Sequence, residues 1–491
     1  MKKRVAIIGS GFGGLSAAIN LAIKGFDVSI FEKNSELGGK ASELRSDGFR
    51  FDTGPTLVTM PFVIERLFEI AGEKLEKHIS LKKKDLICKY FFPDGSVFNE
   101  YSSKEKLFDE FEKFTGESKS KLNRFLNYSK RIYDLTADLF LFNPFFVLNN
   151  FFSLKGLRTL INLPKIDPFR TIHQANSSFF NSKNIIQYFD RYATYNGSNP
   201  FKAPATLNII PYVELELGGY YSENGIYRLV EKLSHLARKL DVDIFINSEV
   251  RKILIDKKRV KGLEINGIKE DYDVVVSNAD LFYTYQNLIG DVNLKEPKRY
   301  LNQELSTSAL IFYFGVKGNS DNLEMDNILF SKNYEKEFTQ LFVDKIIPDD
   351  PTIHIHISSK KNNSDAPEGF ENWYVMINAP STKELKFDLS QVKKIILKKI
   401  KRMTGLDIEN RIVFEAYQTP EILEKRTSGL FGSLYGPSSN SRYSAFLRQK
   451  NKSSVYVGLY FCGGTVHPGG GVPLTILSGK ITAELIERYE K

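Results

Sequence analysis

Residues 4–32 read RVAIIGSGFGGLSAAINLAIKGFDVSIFE. A β-branched run from Val5 to Ile8 leads into Gly9, Gly11 and Gly14 at GxGxxG spacing. An Ala/Leu-rich helical stretch follows, and a second apolar run, Val28 to Phe31, ends on Glu32. This is the pattern of a βαβ unit whose glycines serve the tight turn, the approach of backbone to a pyrophosphate, and close helix–strand packing. Glu32 stands where such a unit places an acid for ribose hydroxyls. The expectation is an α/β domain that binds a dinucleotide.

The other end of the chain carries a second glycine run. YFCGGTVHPGGGVPLTILSGK, residues 460–480, places five glycines between Gly463 and Gly471. VGLYFC before it reads as a short buried strand, and VPLTILSGKITAELIERYE after it as an amphipathic helix with Pro473 in its first turn. Glycines between a strand and a helix N-terminus leave N–H groups and the positive end of the helix dipole for an anionic ligand group. Segments from opposite termini therefore meet around one ligand, in a discontinuous domain. Residues 224–280 supply a third segment: NGIYRLVEKLSHLARKL reads as a helix, VDIFINSEVRKILIDKKRVKGLEING as strands, and YDVVVSNAD as a buried strand ending in a polar cap.

The chain has 491 residues, 42% hydrophobic and 26% charged, enough for two domains with buried cores. Its two cysteines, Cys88 and Cys462, have no CxxC or CxxH companion, which argues against a disulfide framework or structural zinc. The net charge of +9 comes with scattered lysines, such as KKK at 82–84, and no nucleic-acid-binding pattern. Most of these lysines read as solvated faces, with attraction to a membrane second. No signal peptide is expected. The apolar-rich stretch 139–164 is interrupted by Asn143-Pro144, Asn149-Asn150 and Lys155, too often for a spanning helix.

Gly38-Gly39-Lys40 follows Glu32 in EKNSELGGKASELRSDGFRFDTGP. Here the chain resembles the FAD-containing amine oxidase and phytoene desaturase superfamily, whose GG-[RK] turn touches the flavin side of FAD. Four further stretches, GFRFDTGPTLVTMP (48–61), RYATYNGSNPFKAPATLNIIPYVELELGGYY (191–221), TPEILEKRTSGLFGSLYG (419–436) and GLYFCGGTVHPGGGVPLTILSGK (458–480), resemble the bacterial-type carotenoid desaturases more than the amine oxidases. The resemblance implies FAD as cofactor. It also implies a discontinuous FAD-binding Rossmann-like domain (1–84, 221–285 and 441–491) beside a mixed-sheet plus helical substrate domain (85–220 and 286–440). Cofactor contacts are then expected from Gly9, Gly11, Gly14, Glu32, Gly39, Lys40, Gly54, Pro55, Val250, Gly463, Gly464, Gly471 and Val472, with Val250 against the adenine and the Val472 N–H at the flavin. The family's Gly-Gly near residue 226 is Asn224-Gly225 here, a mild departure because Asn also tolerates αL.

The activity implied is FAD-dependent carotenoid desaturation, with hydride passing to the flavin and a proton leaving the neighbouring carbon. ELRSDGFRFDTGPTLVTMP and DLICKYFFPDGSVFNEY resemble the branch acting at the 3,4 position of 1-hydroxylated acyclic carotenoids. Phytoene desaturation or carotenoid isomerisation in the same family, an amine oxidase, and a non-catalytic prenyl-binding escort are the alternatives. Asp190, Arg191 and Tyr195 are the catalytic candidates, read either as polar groups facing the substrate or as an ordinary helix with a salt-bridged Arg. Tyr192, Tyr195 and Asn196 are candidates for a terminal hydroxyl. Glu214 and Glu216 read as the solvent face of a strand, and His354 and His356 as a pair on a sheet surface without a third metal ligand. His467 is read either as orienting the glycine loop by hydrogen bonding, the favoured role, or as titrating near the flavin. Expected partners are a lipophilic carotenoid and a membrane surface, with the protein cytoplasmic on the inner membrane face. Oligomeric state and electron acceptor, oxygen or a quinone, stay open.

A direct check follows from the fingerprint. Glu32→Ala is expected to weaken FAD by about 1 to 3 kcal/mol by leaving ribose hydroxyls underpaired, and Gly11→Val to abolish retention through gel filtration. Full flavin occupancy in Gly11→Val refutes the fingerprint assignment.

Overall fold

A computed structural model describes residues 2–143, 163–441 and 448–491. The βαβ unit forms as its periodicity demands: strand Arg4–Ile8, helix Phe12–Ile23, strand Asp27–Phe31. These strands lie in a five-stranded parallel sheet ordered Leu459–Phe461, Val274–Ser277, Arg4–Ile8, Asp27–Phe31, Asp243–Phe245. The last strand of the chain is thus two places from the first. Helices Tyr227–Lys239 and Val472–Glu490 pack with Phe12–Ile23 over one aliphatic core. An antiparallel meander, Val250–Asp256, Arg259–Ile265 and Ile268–Asp271, completes this half.

The second half is built on a seven-stranded mixed sheet ordered Ile412–Gln418, Ser308–Lys317, Phe370–Ala379, Ile353–His356, Asp326–Leu329, Leu86–Phe91, Val97–Tyr101. Strand Ser308–Lys317 is buried on both faces. Leu310, Phe312 and Phe314 meet the helix Leu389–Thr404, while Ala309, Ile311 and Tyr313 meet Phe49 and Phe51. Helices Lys104–Thr115, Lys119–Phe140 and Lys183–Asp190 close the far end over an aromatic core.

The halves are tied by Arg50, 2% exposed, which contacts Glu43, Asp52 and Asp365 at 2.8, 2.7 and 3.3 Å. Asp52 in turn accepts from the N–H groups of Ile226 and Tyr227, capping helix Tyr227–Lys239. Asn224 and Gly225 take φ of +66° and +87° before that helix, as the Asn-Gly reading expects.

Several sequence readings are corrected. VELEL is not a strand: Glu214 lies in helix Ile209–Leu215 and is fully buried, and only Glu216, paired with Lys104 at 3.1 Å, faces outward. His354 and His356 do lie on strand Ile353–His356, but that face is covered, and both rings meet Asp326. Lys84 of the KKK run is buried on Asp326 rather than solvated. Most of the Phe-rich stretch 139–164 lies outside the described residues. Among the described residues no helix is long and apolar enough to cross a membrane, and no group of three or more His, Cys, Asp or Glu is placed to hold a metal.

The first and last helices cross at Gly479. A Cβ there would sit 2.4 Å from the Gly13 carbonyl oxygen and 2.6 Å from the Ala17 nitrogen. Gly479→Ala is therefore expected to destabilise the protein by about 1 to 3 kcal/mol through overpacking, read as a lower thermal midpoint. An unchanged midpoint refutes the close crossing.

Candidate active site

The parallel strands end at one cavity of about 610 Å³. Gly9, Glu32 and Asn278 follow directly after three of the strands, Gly463 two residues after a fourth, and all line it. This is the carboxyl edge at which open α/β sheets bind ligands. Two helices begin there, capped by Gly11 and Gly471, and neither cap has a side-chain hydrogen bond. Their first-turn N–H groups are left for a ligand. Gly471 holds φ +102° with nothing within 4 Å of a Cβ position, so glycine is needed there for conformation rather than for space.

Glu32 is buried and gripped from both sides. Its Oε2 accepts from Ser10 N (3.0 Å) and Oγ (2.7 Å), its Oε1 from Asn34 N (3.0 Å) and Nδ2 (2.7 Å). The Ser10 hydroxyl and Asn34 amide can yield to ribose hydroxyls while the backbone donors keep the carboxylate in place. Gly38 donates to the Ser10 carbonyl at 3.3 Å, latching the Gly38-Gly39-Lys40 turn to the first glycine turn. Lys40 Nζ donates to the Ser433 carbonyl (3.0 Å) and to that of Leu434. Burial, against the pull of Asp280, lowers its ammonium to about 8. Gly54 packs on the Lys40 carbonyl, 2.1 Å from where a Cβ would lie, while Pro55, Val250, Gly464 and Val472 complete the lining. Gly14 serves packing, its Cβ position 2.2 Å from the Gly9 carbonyl oxygen.

Three residues here escaped the sequence reading. Asn278 donates from Nδ2 to the Gly9 carbonyl at 3.3 Å, and a Cβ on Gly13 or Gly463 would come within 2.6 or 2.7 Å of its Oδ1. Arg426 Nη1 donates to Thr53 Oγ1 at 3.0 Å, and Arg448 Nη1 to the Gly464 carbonyl at 3.1 Å. Burial lowers Arg448 to about 10. Arg426 lies in a stretch that carried family resemblance; nothing in the spacing of Arg448 marks it.

Beyond the glycines the cavity runs over the seven-stranded sheet. Gln418, Ile311, Met376, His354 and Ile328 are direct cross-strand partners in successive strands, and all five line the cavity. They form a floor about four strand spacings long, roughly 19 Å, walled by Leu57, Ile87, Leu207, Ile210 and Val213.

The floor is flanked by buried polar groups. Arg191 Nη2 donates to Tyr90 Oη and lies 3.8 Å from Glu214, to which Tyr195 also donates. Tyr192 Oη is 2.9 Å from Glu100 and 3.1 Å from Glu214. Burial, reinforced by the Glu214 carboxylate, raises the Glu100 carboxyl to about 8. Nearby, Lys84 and both histidines converge on Asp326; against the cost of burial, His356 and Lys84 hold its carboxyl well below the usual range. Arg191, Tyr195 and Asn196 line the cavity. Asp190 does not: it turns to His173 Nδ1 (2.7 Å) and Asn176 Nδ2 (2.9 Å), tying two helices together. Tyr192 is also buried outside the lining. His467 is held neutral by burial, its ring lowered to about 4, and donates from Nε2 to the Asn143 carbonyl at 3.1 Å, which fits its structural reading.

The model of the flavin containing amine oxidoreductase family matches residues 12–487. The chain is 41% identical over 486 residues, 99% of both chains, to a 1-hydroxycarotenoid 3,4-desaturase of a Flavobacterium species. It is 30% identical over 493 residues, 100% of this chain and 98% of the relative, to a 4,4'-diaponeurosporene oxygenase of Staphylococcus haemolyticus. Putrescine oxidase with bound putrescine superposes with a TM-score of 0.65 at 13% identity, over 99% of each chain, and so speaks to the fold alone. A Methanosarcina mazei oxidoreductase gives 0.63 at 14%, over 98% of this chain and 100% of that one. A glycine-lined dinucleotide cavity, a family match along nearly the whole chain and 41% identity to a carotenoid desaturase together make this protein an FAD oxidoreductase that belongs to the flavin containing amine oxidoreductases, in their bacterial carotenoid desaturase branch.

Proposed function

We propose that the protein desaturates an acyclic carotenoid, forming the 3,4 double bond of a 1-hydroxylated substrate. The observation that carries this reading is the in-register floor Gln418, Ile311, Met376, His354 and Ile328, a long slot leading away from the glycine-lined end. The relative of 41% identity, whose name states this reaction, supports it. FAD supplies the hydride acceptor. Residues 1–84, 221–285 and 441–491 would form its domain, and Gly9, Gly11, Glu32, Gly39, Lys40, Gly54, Pro55, Val250, Gly463, Gly464, Gly471 and Val472 would hold it, with Gly14 fixing the first turn. The chain's own contribution is to exclude water, stretch the polyene over the floor and align its reacting carbons.

The substrate hydroxyl sits only two carbons from the 3,4 bond, so its partner belongs at the cofactor end of the slot. Asn196 is assigned that role, supported by the backbone contacts that follow it. The next residue, Gly197, accepts from Thr307 N at 3.0 Å, Thr307 accepts from Leu434 N at 3.1 Å, and the Leu434 carbonyl holds Lys40. Arg191 and Tyr195 are assigned to binding and aligning the chain. A buried polar group left without a partner costs about 1 to 3 kcal/mol, and phytoene, which lacks a hydroxyl, would leave the site's own polar group in that state. Access from a membrane surface on the cytoplasmic side belongs to the same proposal, with residues 139–164 as the contact.

Expression in hosts accumulating either a 1-hydroxylated acyclic carotenoid or phytoene is expected to give the 3,4-didehydro product from the first and no lycopene from the second. Conversion of phytoene alone overturns the substrate choice. A product heavier by oxygen, rather than lighter by two hydrogens, moves the protein to the oxygenases that match at 30 to 32%. For the membrane, Phe145→Asp with Phe146→Asp should reduce flotation with liposomes; unchanged flotation of the folded variant refutes insertion there.

A further inference from the structure

Buried cations in this fold carry carboxylates. Arg50 has three, Lys84 sits on Asp326, Lys399 lies 2.8 Å from Asp350, and Arg191 lies 3.8 Å from Glu214. Four cations lining the cavity break the pattern. Among the described residues, Lys33, Lys40, Arg426 and Arg448 have no carboxylate oxygen within hydrogen-bond or ion-pair distance, and their partners are neutral; Lys33 holds the Lys425 carbonyl and the Ser428 hydroxyl, and the other three lie at the glycine segments. Lys40 holds the Ser433 and Leu434 carbonyls, Arg426 the Thr53 and Ser42 hydroxyls, and Arg448 the Gly464 and Tyr435 carbonyls.

The acids that act on them from further off are engaged or exposed. Asp280 is taken by the Tyr300 hydroxyl at 2.5 Å and by the N–H groups of Phe282 and Tyr283, and Glu36 is in solvent. Arg426 is the extreme case: its Nε and Nη2 are buried with no hydrogen-bond partner. Guanidinium nitrogens withdrawn from water without a counter-charge are unfavourable, and an anionic ligand group would answer them. The three cations also share a location. Lys40 ends the Gly38-Gly39 turn, Arg426 grips the residue before Gly54-Pro55, and Arg448 grips the carbonyl of Gly464, so each borders a different glycine segment of one site.

We propose that Arg426, which lines the cavity, is a cofactor-binding residue whose guanidinium turns its unpartnered Nε and Nη2 to an anionic oxygen of FAD, completing with Lys40 and Arg448 the positive charge that the cofactor requires. Two parts of FAD carry that chemistry: the diphosphate at all times, and the flavin ring once reduced. They differ in consequence. A cation on the diphosphate holds oxidised and reduced cofactor equally and leaves the potential alone, whereas one on the ring favours the reduced form and raises it.

The test is Arg426→Met and Arg426→Lys in the full chain, stripped of flavin and titrated with FAD. Arg426→Met is expected to raise the FAD dissociation constant about 10- to 100-fold, and Arg426→Lys to recover part of the loss. The melting temperature of the Arg426→Met apoprotein should stay level or rise, since an unpaired buried charge is gone, while its gain on adding FAD shrinks. With affinity lost, an unchanged midpoint potential assigns the diphosphate and a more negative one assigns the ring. Unchanged affinity and potential overturn the proposal. So does a fall in apoprotein melting temperature that the holoprotein merely copies, which would make Arg426 a structural residue.

Discussion

The close crossing of the first and last helices governs the rest of this structure. Gly479 rests on the Gly13 carbonyl, and Gly13 and Gly463 both crowd Asn278 Oδ1, with no room for a side chain at any of the three. Nearly the whole chain separates Gly13 from Gly479, yet the contact sets where two glycine runs and two helix N-termini point. Because every piece arrives from a different part of the sequence, the cofactor cavity cannot form from any one segment. It exists only when strand Leu459–Phe461 has joined Val274–Ser277 and the last helix has docked. The entropy of closing so long a loop is compensated by the buried aliphatic core that the two helices share.

A second constraint is electrostatic. The chain buries many ionised groups, and most are arranged so that each charge is answered locally. Arg50 with its three acids pins hairpin Glu43–Asp52 to the seven-stranded sheet and, through Asp52, to the start of helix Tyr227–Lys239. Beside Arg191, burial and the neighbouring Glu214 carboxylate raise the Glu100 carboxyl above the usual range. Against that background, excess positive charge at the glycine-lined end marks where a ligand's charge belongs.

How much of this was legible in the sequence depends on how local the signal is. The GxGxxG unit and both terminal helices are written in short-range periodicity and turn chemistry, and they fold as read. Glu214 was misread because VELEL begins in helix Ile209–Leu215, where alternation does not describe exposure, and Lys84 because a charge run describes exposure only when nothing packs on it, and Asp326 does. Asp190 and Arg191 are adjacent, but the chain changes from helix Lys183–Asp190 to a tighter turn between them, so one faces a neighbouring helix and the other the cavity. Asn278, Arg426 and Arg448 act through contacts with residues far away in sequence, and no spacing rule announces them.

The row Gln418, Ile311, Met376, His354, Ile328 has a consequence for how a polymer-like substrate would be measured out. Side chains in direct cross-strand register recur at the strand spacing, about 4.8 Å, a period comparable with the branch repeat of an isoprenoid chain. A floor with that pitch would act as a ruler without a zero mark: displacing a polyene by one repeat would keep its branches over side chains of the row, each over the next one along. The middle of the slot therefore grips but does not count. Which bond comes to lie over the reacting position is decided at the two ends, and a single substitution there could move the site of reaction by a whole repeat while leaving affinity nearly untouched.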